Sequence, residues 1–105
     1  MKSTPWGQSQ HQETLAPGIV SHSTAGHGGI WLDDSRRKQL EFYRNHNFLK
    51  SSTWWEEDCD WAIPYIFFAS DIQAYGKAYK FDENLACARN IACHFHPEFF
   101  KTHCA

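Results

Sequence analysis

Residues 18–32 read Gly18-Ile19-Val20-Ser21-His22-Ser23-Thr24-Ala25-Gly26-His27-Gly28-Gly29-Ile30-Trp31-Leu32. Ile19 to Thr24 is rich in β-branched residues, the glycines around His27 interrupt it, and Ile30-Trp31-Leu32 restores the apolar character. That pattern predicts two short strands joined by a glycine-rich turn, most simply a hairpin. Ahead of it Ala16-Pro17-Gly18 is a turn signal. Residues 1–14 are polar, with Pro5 and Gly7 around Trp6, and predict an arm that meets the body through Trp6 alone.

On the other side of the hairpin, Asp33 or Asp34 can cap a helix running through Lys38 to Arg44, since a short oxygen acceptor satisfies amides with no intrahelical partner. Asn45 to Ser52 is polar and loop-like. Thr53-Trp54-Trp55-Glu56 matches the capping box and predicts a helix from Trp54 to about residue 68. Its core stripe would be Trp55, Cys59, Ala62, Ile63 and Ile66, with Trp54, Asp58, Trp61 and Tyr65 on a second face. Glu57 and Asp60 lie off the stripe and are expected to face solvent. Pro64 should kink or end this helix near Ile63. Ser70 to Lys80, with Gly76, carries no regular pattern. Asp82 is the expected cap of a further helix to residue 95, in which Leu85, Ala88, Ala92 and Phe95 recur at helical spacing. His96-Pro97 ends it, and Pro97 opens a last short turn through Lys101. The fold class is therefore α+β: a short antiparallel sheet over residues 18–32 packed against two or three helices, in one domain with a polar arm.

The chain has 105 residues, enough for one core and not two. Its formal charge of −2 argues against a nucleic-acid backbone as partner, because phosphate neutralisation needs clustered Lys and Arg, and Arg36-Arg37-Lys38 is the only basic knot. Met1 to Gln12 has no apolar run, and Trp61 to Ala69 is too short to span a bilayer, so a cytoplasmic protein without membrane contact is expected. Cys59, Cys87, Cys93 and Cys104 are then expected to be thiols.

Three stretches could carry chemistry. His22-Ser23-Thr24-Ala25-Gly26-His27-Gly28-Gly29 offers imidazoles and hydroxyls on a backbone free to turn its amides toward an anion. The competing reading is a tight turn whose histidine bonds nearby backbone. Trp54-Trp55-Glu56-Glu57-Asp58-Cys59-Asp60-Trp61 mixes carboxylates with indoles. Desolvated carboxylates there could act as acid or base, so a small hydrolase or nucleotide-binding enzyme would use His22, His27, Glu57 and Asp58. A binding surface would instead use Trp54, Glu57, Asp58, Asp60, Trp61 and Tyr65, since rings beside charge anchor interfaces. Cys87, Cys93, His94, His96, His103 and Cys104 are zinc-ligand types, but no paired Cys-x-x-Cys accompanies them, so neither metal nor cofactor is assigned. Neither a phosphate-binding loop nor a dinucleotide fingerprint occurs.

Thr4-Pro5-Trp6-Gly7, Ala16-Pro17-Gly18-Ile19, the His22 to Gly29 segment, Glu56-Glu57-Asp58-Cys59-Asp60-Trp61-Ala62-Ile63 and His96-Pro97-Glu98 form one ordered motif set. It resembles a family of small domains of unknown function carried by bacteriophages and plasmids, in whose other members a Ser often stands where Gly26 is. The resemblance implies no activity. It implies a habitat, and with it an expected function: a non-enzymatic inhibitor that binds a host protein or ribonucleoprotein defence complex, such as a CRISPR or restriction system.

Overall fold

The computed structural model describes residues 3–47 and 49–104. Strands β3 (His11–Ala16), β4 (Ile19–Ser23), β5 (Gly28–Leu32) and β6 (Trp54–Glu56) form an antiparallel four-stranded sheet in that order. The expected hairpin is its centre, with Ser21 opposite Ile30 and Ile19 opposite Leu32. Side chains alternate across a strand, so Ile19, Ile30, Leu32 and Trp55 share one face. All four are buried, and they pack with helical residues that include Ile63, Phe68, Ile72, Ala88 and Phe99. This is the predicted α+β architecture.

The N-terminal arm is more ordered than its polarity suggested. A two-stranded ladder joins β1 (Ser3–Thr4) to β2 (Gly7–Gln8), its turn closed by Thr4 Oγ1 donating to the Gly7 carbonyl at 2.6 Å. Residues 11–14, expected as part of that arm, belong to the edge strand His11–Ala16, which is held by main-chain pairing to β4 with only Leu15 and Ala16 buried. A strand whose stabilisation comes from backbone hydrogen bonds needs few apolar residues.

The larger correction concerns residues 54–61. They do not begin a helix. Trp54–Glu56 is β6, paired to β5 with Trp55 opposite Ile30, and helix α2 begins only at Ala62 (Ala62–Phe67). The local capping signal loses to a long-range one: Trp55 is buried in the sheet and its indole donates to the Ser52 carbonyl at 2.9 Å. Pro64 consequently stands in the first turn of α2, where an absent amide breaks no hydrogen bond. It neither kinks nor ends the helix.

Asp33 caps α1 (Asp34–Gln39), accepting from the Arg36 amide at 2.9 Å, and a 3-10 turn follows over Glu41–His46. The unpatterned stretch contains α3 (Ala69–Tyr75), ended by Gly76 at φ 75°. In α4 (Phe81–Phe95) Asp82 is a first-turn residue and not the cap, and of the residues at helical spacing Ala88 and Ala92 are buried while Phe95 is 62% exposed. Pro97 opens α5 (Pro97–His103), which buries Phe99. Among the described residues no helix is long and apolar enough to cross a membrane.

Trp55→Ala should remove the largest fully buried ring and cost about 3–5 kcal/mol by chemical denaturation. Phe42→Ala, at a site 82% exposed, should change stability by less than about 0.5 kcal/mol.

Candidate functional site

The segment from Glu56 to Trp61 turns from β6 into α2, closed by the Trp61 amide donating to the Glu56 carbonyl at 2.8 Å. It separates two cavities. The first, about 370 Å³, is lined by His46, Glu56, Asp58, Cys59, Asp60, Phe95 and His96. The second, about 200 Å³, has Glu57 and Trp61 among its lining residues, with Glu13, Ser21, Tyr65 and Asn84.

Asp60 does not face solvent. It is 5% exposed, and its Oδ1 lies 3.4 Å from Nε2 of His96, itself 5% exposed. The same nitrogen donates to the Cys59 carbonyl at 3.3 Å, which requires a proton on Nε2. The ring of His46 stands 6.4 Å from that of His96. His46 carried no motif, and no sequence signal paired Asp60 with a residue 36 positions away. Burial pushes the Glu56 carboxyl above its ordinary range, with Asp58 adding to the rise and His27 opposing it. Burial likewise raises the Cys59 thiol, so it is not activated as a thiolate nucleophile.

The glycine-rich segment is a tight turn. Thr24 Oγ1 donates to the His27 carbonyl at 2.6 Å, and the Thr24 amide bonds the same oxygen at 2.7 Å. Among the described residues positive φ at glycine occurs at Gly7, Gly18 and Gly76, so Gly26, Gly28 and Gly29 build no anion nest. Gly29 is needed for close approach instead: a Cβ there would strike the Trp6 ring and the Trp55 carbonyl. Trp6 meets Trp54 edge-on at 5.7 Å, and Trp54 lies 5.6 Å from the His22 ring. His22 is buried, its Nδ1 hydrogen-bonded to Ser9 Oγ at 2.9 Å.

The four residues of the enzyme reading are thus divided. His22 and Glu57 border the smaller cavity, Asp58 borders the larger, and His27 is exposed on the turn. The expected recognition face is divided too: Trp54 packs with Trp6, Tyr65 is buried, Trp61 half-buried, and only Glu57 and Asp58 are exposed. Of the zinc-ligand types, His96 pairs with Asp60, His103 bonds the Tyr43 hydroxyl at 2.9 Å, and Cys87 and Cys93 are exposed thiols. Among the described residues no group of three or more His, Cys, Asp or Glu could hold a metal ion.

Over residues 1–105 the chain matches the family described as a domain of unknown function, DUF7007, and belongs to it. No curated protein and no solved structure matches the chain.

Asp60→Ala should remove the buried carboxylate that meets His96 and cost about 1–3 kcal/mol, whereas Glu57→Ala should be close to neutral in denaturant titrations. Glu56 has a second signature. Its folded-state pKa lies above the unfolded value, so the folded state is favoured below the unfolded pKa, and that advantage is lost as pH rises through the folded one. Glu56→Gln should accordingly raise the melting temperature at pH 7, and the gain should vanish below about pH 4.

Proposed function

We propose that this domain is a binding protein that engages a basic surface of a protein partner through the cavity of Glu56, Asp58 and Asp60, and that the partner belongs to a host defence complex. One observation carries the first part: three carboxylates converge on an open cavity whose lining contains no Lys or Arg. Burial first, and then the neighbouring Asp58, push the Glu56 carboxyl above its ordinary range. Three of the arginines are engaged elsewhere, Arg36 with Asp71, Arg37 with Asp34 and Arg44 with Glu41. An incoming guanidinium could form charge-assisted hydrogen bonds there and rest against the exposed Phe95 ring at the rim. The second part rests on the resemblance to phage and plasmid domains.

The exposed pair suited to charge reversal is not Glu57 and Asp60, since Asp60 is buried. Glu56→Gln/Asp58→Lys changes the cavity and spares the buried pair. With the protein immobilised and exposed to bacterial lysate at about 50 mM salt, where exposed charges act over a longer Debye length, a stable partner should be retained by the native chain. The variant, folded with a native melting temperature or higher, should retain it at least about tenfold more weakly, with a flatter salt dependence. Equal retention with the same salt dependence would contradict the reading.

A further inference from the structure

Of the four large apolar side chains that the described residues leave exposed, three stand at the two ends of α4: Tyr75 and Tyr79 ahead of it and Phe95 in its last turn. A single exposed ring is ordinary, but rings set beside charge at both ends of one helix are the composition of contact surfaces. The charges at the two ends are opposite. Ahead of α4, Lys77 Nζ lies 5.3 Å from the Tyr75 ring centroid and Lys80 Nζ 5.4 Å from that of Tyr79, and both lysines are exposed. Lys77 is in no ion pair among the described residues, and Lys80 is met only by Glu83, at 3.8 Å. At the other end, Phe95 borders the cavity of Glu56, Asp58 and Asp60, whose lining contains no Lys or Arg.

The segment 75–80 is held in place. The Tyr79 amide donates to Glu13 Oε2 at 2.9 Å, and the Tyr79 carbonyl accepts from Asn84 Nδ2 at 2.8 Å, so little ordering opposes a contact made through it. The 15 residues of α4, at about 1.5 Å each, put its two ends roughly 21 Å apart, so the segment cannot enter the cavity of its own chain. We propose that the two ends are complementary halves of one contact between copies of this chain: segment 75–80 of one copy sits on the larger cavity of the next, Lys77 toward Asp58 and Tyr79 against Phe95. This rests on the reading that the cavity takes a basic group, and it adds a self-contact that competes with the partner. The two surfaces are different patches, so each contact leaves one segment and one cavity open, and copies add head to tail.

Sedimentation equilibrium on the purified full chain tests this with no other protein present. At about 50 mM salt the average mass should rise with concentration past that of a dimer, and at about 1 M, where the Debye length is roughly 3 Å, it should fall to that of a monomer. Lys77→Glu and Glu56→Gln/Asp58→Lys, each folded with a native melting temperature or higher, should be monomeric at the low salt. Mixed in equal amounts they should form a dimer and nothing larger, because one supplies the only intact cavity and the other the only intact segment. Tyr79→Ala, which keeps every charge, should weaken association at least about tenfold. Lys38→Glu, the same charge change at an exposed site outside both surfaces, should associate as the native chain does. The proposal is overturned if the native chain stays monomeric or stops at a dimer, if either surface variant or Tyr79→Ala associates normally, or if the mixture stays monomeric. Equal dissociation in Lys38→Glu also overturns it, by reducing the effect to net charge. A native chain that is monomeric yet retains a lysate partner, and loses it in Glu56→Gln/Asp58→Lys, removes the self-contact and leaves the cavity reading standing.

Discussion

The pairing of Trp54–Glu56 with Gly29–Trp31 is the constraint on which the rest of the molecule depends. It puts Trp55 into the core opposite Ile30, and it obliges the chain to leave the sheet at Glu57, whose amide donates to the Gly28 carbonyl at 2.9 Å. From that point the next residues must turn before α2 can start, and the turn is where the carboxylates are concentrated. Had this segment continued as a helix from Trp54, its acidic residues would have formed an ordinary first turn. As a strand followed by a turn, it sends Glu56, Asp58 and Asp60 to one cavity and Glu57 to another.

The two cavities differ in how their charge is met. In the larger one Asp60 is held against His96, while burial and the neighbouring Asp58 raise the cost of ionising Glu56. The contact of Asp60 with His96, and the bond from His96 to the Cys59 carbonyl, tie the turn to the start of α5 and so fix its position. The smaller cavity has carboxylates at Glu13, which accepts from the Tyr79 amide, and at Glu57, and no Lys or Arg is among its lining residues. Both surfaces select against anions, which agrees with a chain poor in clustered basic residues.

Much of the fold was legible in the sequence. The β-branched run Ile19–Ser23 and the apolar Ile30–Leu32 announced the central hairpin, Asp33 announced α1, and His96-Pro97 the junction of the last two helices. The strand β3 was not legible because its ladder uses main-chain groups, which every sequence supplies. β6 was misread because three residues are too few to separate a period of 2 from one of 3.6, so a capping box that was chemically sound decided the matter. Pro64 held the correcting signal: it fits the first turn of a helix starting near Ala62 and would have broken one starting at Trp54. The acidic segment could be marked as a candidate site from composition alone. Its partition between two cavities, and the meeting of Asp60 with His96, arise from tertiary packing and have no local signature.

The central claim is that Trp54–Glu56 is a strand, because both cavities follow from it. Nuclear Overhauser and amide-exchange measurements on the labelled protein test this most directly. The account predicts extended-type shifts at Trp54, Trp55 and Glu56, cross-strand contacts between Ile30 and Trp55, and a protected amide at Glu57. Helical i to i+3 contacts from Thr53 to Glu56, with no contact between Ile30 and Trp55, would contradict it.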